Sequence, residues 1–301
     1  MRTFAFLLIV GCPFVIFGQP NNATIEKMIV SELDSALQGN NPVKDYHFNS
    51  SNEKHFLDFV RKYETHNNSN VRFRIQRIKV IIAMQSKDSL IRQEVVEDFV
   101  NDFSDLDQSI SQYAISRLLT FQQNDFSPKA KRSMVNIFEK EKNNHDFILV
   151  CGTAQLREVM PQLKKLSANF NRTTDNWYNT TEWYATLALA RMGDSEKNDN
   201  IIASVELQLN PNFRVATLLR YIAYTKQPDC IKLLQKYLES TESLPSLRET
   251  GKGIEFNQFA LEYLTTYFEG FPIKHNEIGY TREEVETARA FLRKQNERYG
   301  Q

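Results

Sequence analysis

The sequence has no excess of charge of either sign, since its 37 basic and 37 acidic residues cancel over 301 positions. A chain without a basic surplus lacks the electrostatic footprint of a nucleic-acid-binding protein, so we expect no nucleic-acid partner. Glycine and proline are also scarce, at 10 and 9 residues. Because all-β folds use these residues at their many turns, the scarcity argues against that fold class.

Cysteine is too rare to build a disulfide scaffold. Only Cys12, Cys151 and Cys230 occur in the chain. The last two lie in the apolar helical patterns VCGTAQL and CIKLL, so we interpret them as small, buried core residues. A bridge between them stays an alternative, and it would need Cα atoms within about 7 Å.

Motifs that carry catalysis or bind metals and cofactors are missing. No Walker loop, GxGxxG or GxSxG motif occurs, and no two histidines have the i, i+4 spacing of a zinc-binding helix. The acidic turn at Asp102, Asp105 and Asp107 lacks the glycine and the closing glutamate of a calcium loop, so Asp105 or Asp107 is expected to cap the next helix. Gly251 and Gly253 mark a linker. The sequence therefore predicts no metal, no cofactor and no catalytic residue.

Long hydrophobic runs are also missing, apart from one at the N-terminus. Residues 4–17 read FAFLLIVGCPFVIF after Arg2, which is typical of a secretory signal that ends at Gly18. The alternative is a lipoprotein box at 9–12 with Cys12 lipidated, but the run continues past Cys12. We expect a secreted or periplasmic protein without a transmembrane segment, with a membrane-anchored lipoprotein as the alternative.

What the chain does contain is helical periodicity, repeated in pairs of segments. The pairs are 71–82 with 89–100, 109–121 with 127–140, 146–156 with 158–166, 183–194 with 200–209, and 212–224 with 228–240; a further segment, 256–268, precedes a terminal helix. The first segments recur about every 40 residues, which is typical of an α-solenoid. In WYATLALARMGD (183–194), Gly193 permits a left-handed turn and Asp194 can cap the following helix.

These residues carry a resemblance to a known family. WYATLALARMGD followed by a second helix resembles HEAT-type repeats of the short, bilin-lyase-like kind, and NFRVATLLRYIAYTKQPDCIKLLQKYL (212–238) follows the same scheme. The Gly-Asp turn is clear only at 193–194. The resemblance implies an all-α, right-handed solenoid of about six helix pairs and, for most members, a binding or scaffold role. Some members hold a di-iron site on His-Glu dipeptides, which this chain lacks.

The chain divides into four predicted regions. Residues 1–18 are the signal peptide, 19–69 an N-terminal helical cap, 70–270 the HEAT-like array and 271–301 a C-terminal capping helix. In the last region, Thr281 and Glu284 have the spacing of a capping box.

The candidate contact residues lie in the polar loop 168–184, which contains both tryptophans of the chain. Loops and aromatic anchors are favoured at binding sites. Trp183 is in helical phase with Leu187 and is expected to fix the loop to the repeat core, whereas Trp177 and Tyr178 are expected to make exposed contacts. We therefore predict partner binding at Trp177, Tyr178 and Tyr184.

The sequence favours a non-catalytic function. The prediction is an exported scaffold that holds a protein or peptide partner on a curved surface formed by the second helices of the pairs. The alternatives are an unrecognised hydrolase or enzyme subunit that uses carboxylates, and a carbohydrate or cell-wall binding module that uses the 168–184 loop.

Overall fold

The computed structural model describes residues 21–40, 46–173, 175–244, 254–267, 270–274 and 279–299, and these form an all-α fold. The predicted signal peptide with Cys12 and the Gly251–Gly253 linker lie outside the described residues. No helix in the described part of the chain is long and apolar enough to cross a membrane. The described residues separate into two compact units, the first ending at Arg92 and the second beginning at Gln93.

The first unit contains α1 (Asn22–Leu37), α2 (Glu53–Arg61) and α3 (Ser69–Gln85), and the unit boundary falls within α4 (Ser89–Asn101). Both α1 and α2 pack on α3. The contacts place α3 with α1 and α2, because α3 has an apolar face that these two helices cover.

A buried carboxylate stands in the core of the first unit. Glu32 on α1 is fully buried; it accepts a hydrogen bond of 2.6 Å from the Tyr46 hydroxyl and lies 3.6 Å from the guanidinium groups of Arg74 and Arg77 on α3. Burial raises the pKa of Tyr46, so the phenol keeps its proton and remains a donor. These neighbours compensate the charge that burial would otherwise make costly.

The second unit contains the remaining helices. They are α5 (Gln108–Leu118), α6 (Pro128–Glu141), α7 (His145–Thr153), α8 (Met160–Ser167), α9 (Thr181–Arg191), α10 (Ser195–Glu206), α11 (Pro211–Phe213), α12 (Leu219–Thr225), α13 (Pro228–Leu238), α14 (Phe256–Tyr267) and α15 (Arg282–Tyr299). A π-helical segment, Arg214–Leu218, joins α11 to α12, and α12 and α13 form one of the predicted pairs.

Polar side chains cap the first turns of several of these helices. The Asp107 carboxylate accepts the Ser109 N–H at the start of α5, and the Ser127 hydroxyl accepts the Ala130 N–H of α6. Asp194 caps α10 through the Lys197 N–H. Each cap satisfies a backbone donor that the first turn leaves without an intrahelical partner, so the predicted capping roles of Asp107 and Asp194 are confirmed.

Within the second unit, the first helix of one predicted pair packs on the first helix of the next. The order is α5 on α7, α7 on α9, α9 on α12 and α12 on α14, while among the second helices α10 packs on α13 and α13 on α15. The core between them includes Cys151 and Cys230, both buried, as predicted, and the alternative of a bridge between them does not occur because both are free thiols. Packing between neighbouring pairs therefore buries apolar faces that a single pair leaves exposed.

The C-terminal part adds one feature that the helical periodicity did not indicate. Two short antiparallel strands, β1 (Ser243–Leu244) and β2 (Ile254–Glu255), precede α14.

At α15, Thr281 Oγ1 accepts the Glu284 N–H at 3.2 Å and the Glu284 carboxylate accepts the Thr281 N–H at 2.7 Å. The predicted capping box is confirmed.

Candidate functional site

Trp177 lies in a short 3₁₀ turn, Trp177–Asn179, that leads into α9. Its side chain is only 8% exposed. Its ring meets Trp183 edge to face at a centroid distance of 4.8 Å and Phe170 at 5.9 Å. The expected exposure of Trp177 is therefore wrong. Packing its large apolar surface against Phe170 and Trp183 is more favourable than exposing that surface to water. The sequence alone does not reveal that these three rings meet.

Trp183 has the position that its helical phase predicted. It is fully buried, and the Thr180 hydroxyl accepts its backbone N–H at the start of α9. Together with Trp177 and Phe170 it fixes the 168–184 loop to the core.

Tyr178 is the most accessible of the three predicted contact residues. It is half-buried, its ring packs on Phe213 at 4.6 Å, and its hydroxyl donates to the Asn176 side-chain oxygen. This edge of the loop is thus ordered by aromatic packing.

Tyr184 is buried between successive first helices. Its ring stacks on His145 with centroids 4.2 Å apart, and its hydroxyl lies 3.0 Å from the Tyr221 hydroxyl, which also accepts from Arg220. Burial raises the pKa of Tyr184 and lowers that of His145, so both rings are neutral at pH 7. The arrangement stabilises the packing of α7, α9 and α12.

A concave polar site occurs elsewhere in the second unit, and we call it the turn groove. It has a volume of about 340 Å³, within the usual range of ligand sites. The turn groove is lined by Gln122, Gln123, Asn124, Gln155, Arg191, Thr225, Lys226 and Gln227.

Turns from four successive helix pairs supply these residues, and hydrogen bonds connect these turns to one another. Gln155, after α7, donates to the Arg191 carbonyl at the end of α9 over 2.8 Å. Arg191 in turn donates to the Tyr224 carbonyl of α12. Lys226 then donates 3.1 Å to the side-chain oxygen of Gln122, which is 104 residues earlier in the chain. These bonds position the side chains around one cavity.

Two of the lining residues adopt a backbone conformation that usually favours glycine. Gln155 has φ of 56° and Lys226 has φ of 52°, whereas the corresponding turn after α9 uses Gly193 at φ of 94°. A non-glycine residue in this left-handed region costs about 1 kcal/mol or more. The fold thus retains two long polar side chains at positions where glycine would be less strained.

A close helix contact beneath the turn groove brings the turns together. Gly152 of α7 lies against Ala188 of α9, and a Cβ atom at Gly152 would stand 2.9 Å from the Ala188 Cα and overlap the Tyr224 hydroxyl. That hydroxyl donates 2.6 Å to the Leu149 carbonyl, so α12 reaches α7 past α9. Small residues at 152 and 188 permit this approach.

The chemistry of the turn groove suits binding. Its lining combines five amide side chains with one guanidinium and one ammonium group, and no carboxylate, histidine or thiol is among its described lining residues. Asp125, beside Asn124, is buried and accepts the Gln122 N–H. The Thr225 hydroxyl donates to the Ile222 carbonyl. The groove thus presents hydrogen-bonding groups and positive charge, without an activated nucleophile.

No motif in the sequence indicates the turn groove. The sequence does offer one clue, which is that a Gly-Asp turn occurs at 193–194 but not in the related turns. In those turns Gln155 and Lys226 take the place of glycine.

Within the described residues, no three histidine, cysteine or acidic side chains are grouped so that they could hold a metal ion. Comparison of the chain with models of known families, with curated proteins and with solved structures finds no match.

Proposed function

We propose that this chain is a non-catalytic scaffold that holds a protein or peptide partner in the turn groove. The observation that carries the proposal is the composition of that groove, where amides and two cations converge from four turns. Amide side chains offer both a donor and an acceptor, as a peptide backbone does, so they complement an extended polypeptide.

The strain at Gln155 and Lys226 supports the same proposal. Residues in sparsely populated backbone regions are concentrated at binding and active sites, where a functional side chain is retained at a cost in stability. Both residues direct polar groups to the groove, through the Gln155–Arg191 and Lys226–Gln122 hydrogen bonds.

We also propose that the chain is an exported, HEAT-like solenoid with a right-handed superhelix. The order of packing among α5, α7, α9, α12 and α14 supports a repeat array, and the apolar run at residues 4–17 supports export. In such an array the second helices of the pairs form an extended surface beside the groove, which adds contact area for the partner.

Selection from a random peptide display library tests this proposal. We expect the purified full chain to enrich peptides that fail to bind the double variant Gln155→Gly/Lys226→Gly. The matched control is Asn176→Gly, which relieves a third left-handed residue (φ of 56°) outside the groove and should retain binding. Enrichment of no peptides, or peptides that bind the double variant equally well, would overturn the proposal. Hydrolytic turnover that a point substitution abolishes would favour an enzyme instead.

A further inference from the structure

We infer that the turn groove recognises an acidic segment of the partner, in which carboxylate side chains are flanked by peptide backbone. This inference rests on the proposed function and adds the chemical class of the ligand. It follows from the charge of the lining, from the fixed geometry of the two cations and from the absence of aromatic rings among the described lining residues.

The ionised side chains that line the groove carry positive charge. Arg191 and Lys226 are the two ionised side chains that line the groove, and both are cationic. Asp125, next to the lining residue Asn124, is 3% exposed and accepts the backbone N–H of Gln122, while Asp194 pairs with Lys164 and Asp229 with Lys232. A carboxylate that enters the groove therefore meets positive charge on its walls, and charge-assisted hydrogen bonds to such groups are stronger than neutral ones.

Both cationic side chains are held in place by contacts within the protein. The guanidinium carbon of Arg191 lies 5.3 Å from the centre of the Tyr224 ring, and the same group donates to the Tyr224 carbonyl. Lys226 is held by its bond to Gln122. Because both side chains are already positioned, a ligand pays less of the ordering entropy that long cationic side chains usually require.

The remaining lining residues favour a peptide over other anions. The rest of the lining is dominated by amides, including Gln123, Asn124 and Gln227, which pair with peptide N–H and C=O groups. A single-stranded nucleic acid is typically held by aromatic faces that stack on its bases, and the described lining has none. The chemistry therefore favours an acidic polypeptide over a nucleic acid.

Fluorescence anisotropy with three labelled hexapeptides tests the inference on the full chain. The peptides alternate glycine with glutamate, with glutamine or with lysine. We expect the glutamate peptide to bind at least about tenfold more tightly than the glutamine peptide and the lysine peptide not to bind, since one charge-assisted hydrogen bond corresponds to about tenfold in affinity. Binding of the glutamate peptide should weaken as sodium chloride rises from about 0.05 to 0.5 M.

Two charge-matched variants locate the effect. Lys226→Gln should weaken binding of the glutamate peptide by about tenfold. Lys140→Gln removes the same charge from a side chain on α6 that is 71% exposed and lies outside the groove, and it should leave binding unchanged. Equal losses in the two variants, or no loss in either, would overturn the inference.

The outcomes also distinguish the inference from the proposed function. If the glutamine peptide binds as tightly as the glutamate peptide and the Gln155→Gly/Lys226→Gly variant loses both, the groove binds peptides but does not select acidic ones. In that case the proposed function stands and the inference fails. Complete displacement of the glutamate peptide by inorganic phosphate or by oligothymidylate would also overturn it, because the groove would then be a general anion site. Failure of all three peptides to bind overturns the inference as well.

Discussion

Replacing Gly152 with alanine tests the close packing that brings the turns together. In a helix interior, alanine is normally favoured over glycine by about 0.5–1 kcal/mol. Here the added Cβ would lie 2.9 Å from the Ala188 Cα and overlap the Tyr224 hydroxyl. Overpacking costs about 1–3 kcal/mol, and the loss of the Tyr224–Leu149 hydrogen bond costs about 1 kcal/mol more. The steric terms prevail, so we expect a net loss of about 2 kcal/mol.

Urea titration followed by tryptophan fluorescence measures this loss within the second unit. Trp177 and Trp183 are the two tryptophans of the chain, and both belong to that unit. Tyr224→Phe alone should cost about 1 kcal/mol through the lost hydrogen bond.

The double variant Gly152→Ala/Tyr224→Phe completes the cycle. Because the overlap with the hydroxyl is then removed, we expect its loss to be smaller than the sum of the single losses by about 1 kcal/mol. Tyr178→Phe is the control, since its hydroxyl bonds to Asn176 on the exposed side of the loop. Additive single effects, or a Gly152→Ala protein that is more stable than the wild type, would refute the packing argument.

Three further predictions concern local features. Gly193→Ala should destabilise the second unit by about 1 kcal/mol, because its φ is 94° while the space around an added Cβ is open; an unchanged urea midpoint would contradict the backbone argument. Thr281→Ala should cost about 1 kcal/mol through loss of the capping box, whereas Thr287→Ala, within α15, should cost less in the same thermal melt. Burial raises the pKa of the Cys230 thiol to about 11 and that of Cys151 further, so Ellman's reagent at pH 8 should label neither until the chain unfolds. Rapid labelling of the native protein would contradict the burial of the two thiols. Because the thiols of the unfolded chain lose their protons at a lower pH than the buried thiols, the free energy of unfolding should fall as the pH rises from about 9 to 11.

Much of the helical framework was predictable because local signals agree along the chain. The segment 127–140 matches α6 (Pro128–Glu141), since Ser127 caps the helix and Pro128 suits its first turn. The strands β1 and β2 were not predicted, because two residues each are too few to display an alternating pattern.

The candidate site was less predictable because it depends on contacts between distant residues. The burial of Trp177 requires Phe170 and Trp183 to surround it, and helical periodicity contains no information about a loop. The turn groove requires Lys226 to meet Gln122 across 104 residues. The sequence shows that glycine is absent at Gln155 and Lys226. Only the positive φ values of these two residues in the folded chain reveal why that absence matters.

The most direct test of the account is a paired measurement on Gln155→Gly/Lys226→Gly, with a peptide selected by the wild-type chain. Glycine relieves the left-handed strain but removes the side chains that bond to Arg191 and Gln122, so the free energy of unfolding should stay within about 1 kcal/mol of the wild type. Affinity for the peptide should nevertheless fall by at least about tenfold, whereas Asn176→Gly should retain it. A stable double variant that binds the peptide as tightly as the wild type would contradict the assignment of the turn groove as the binding site.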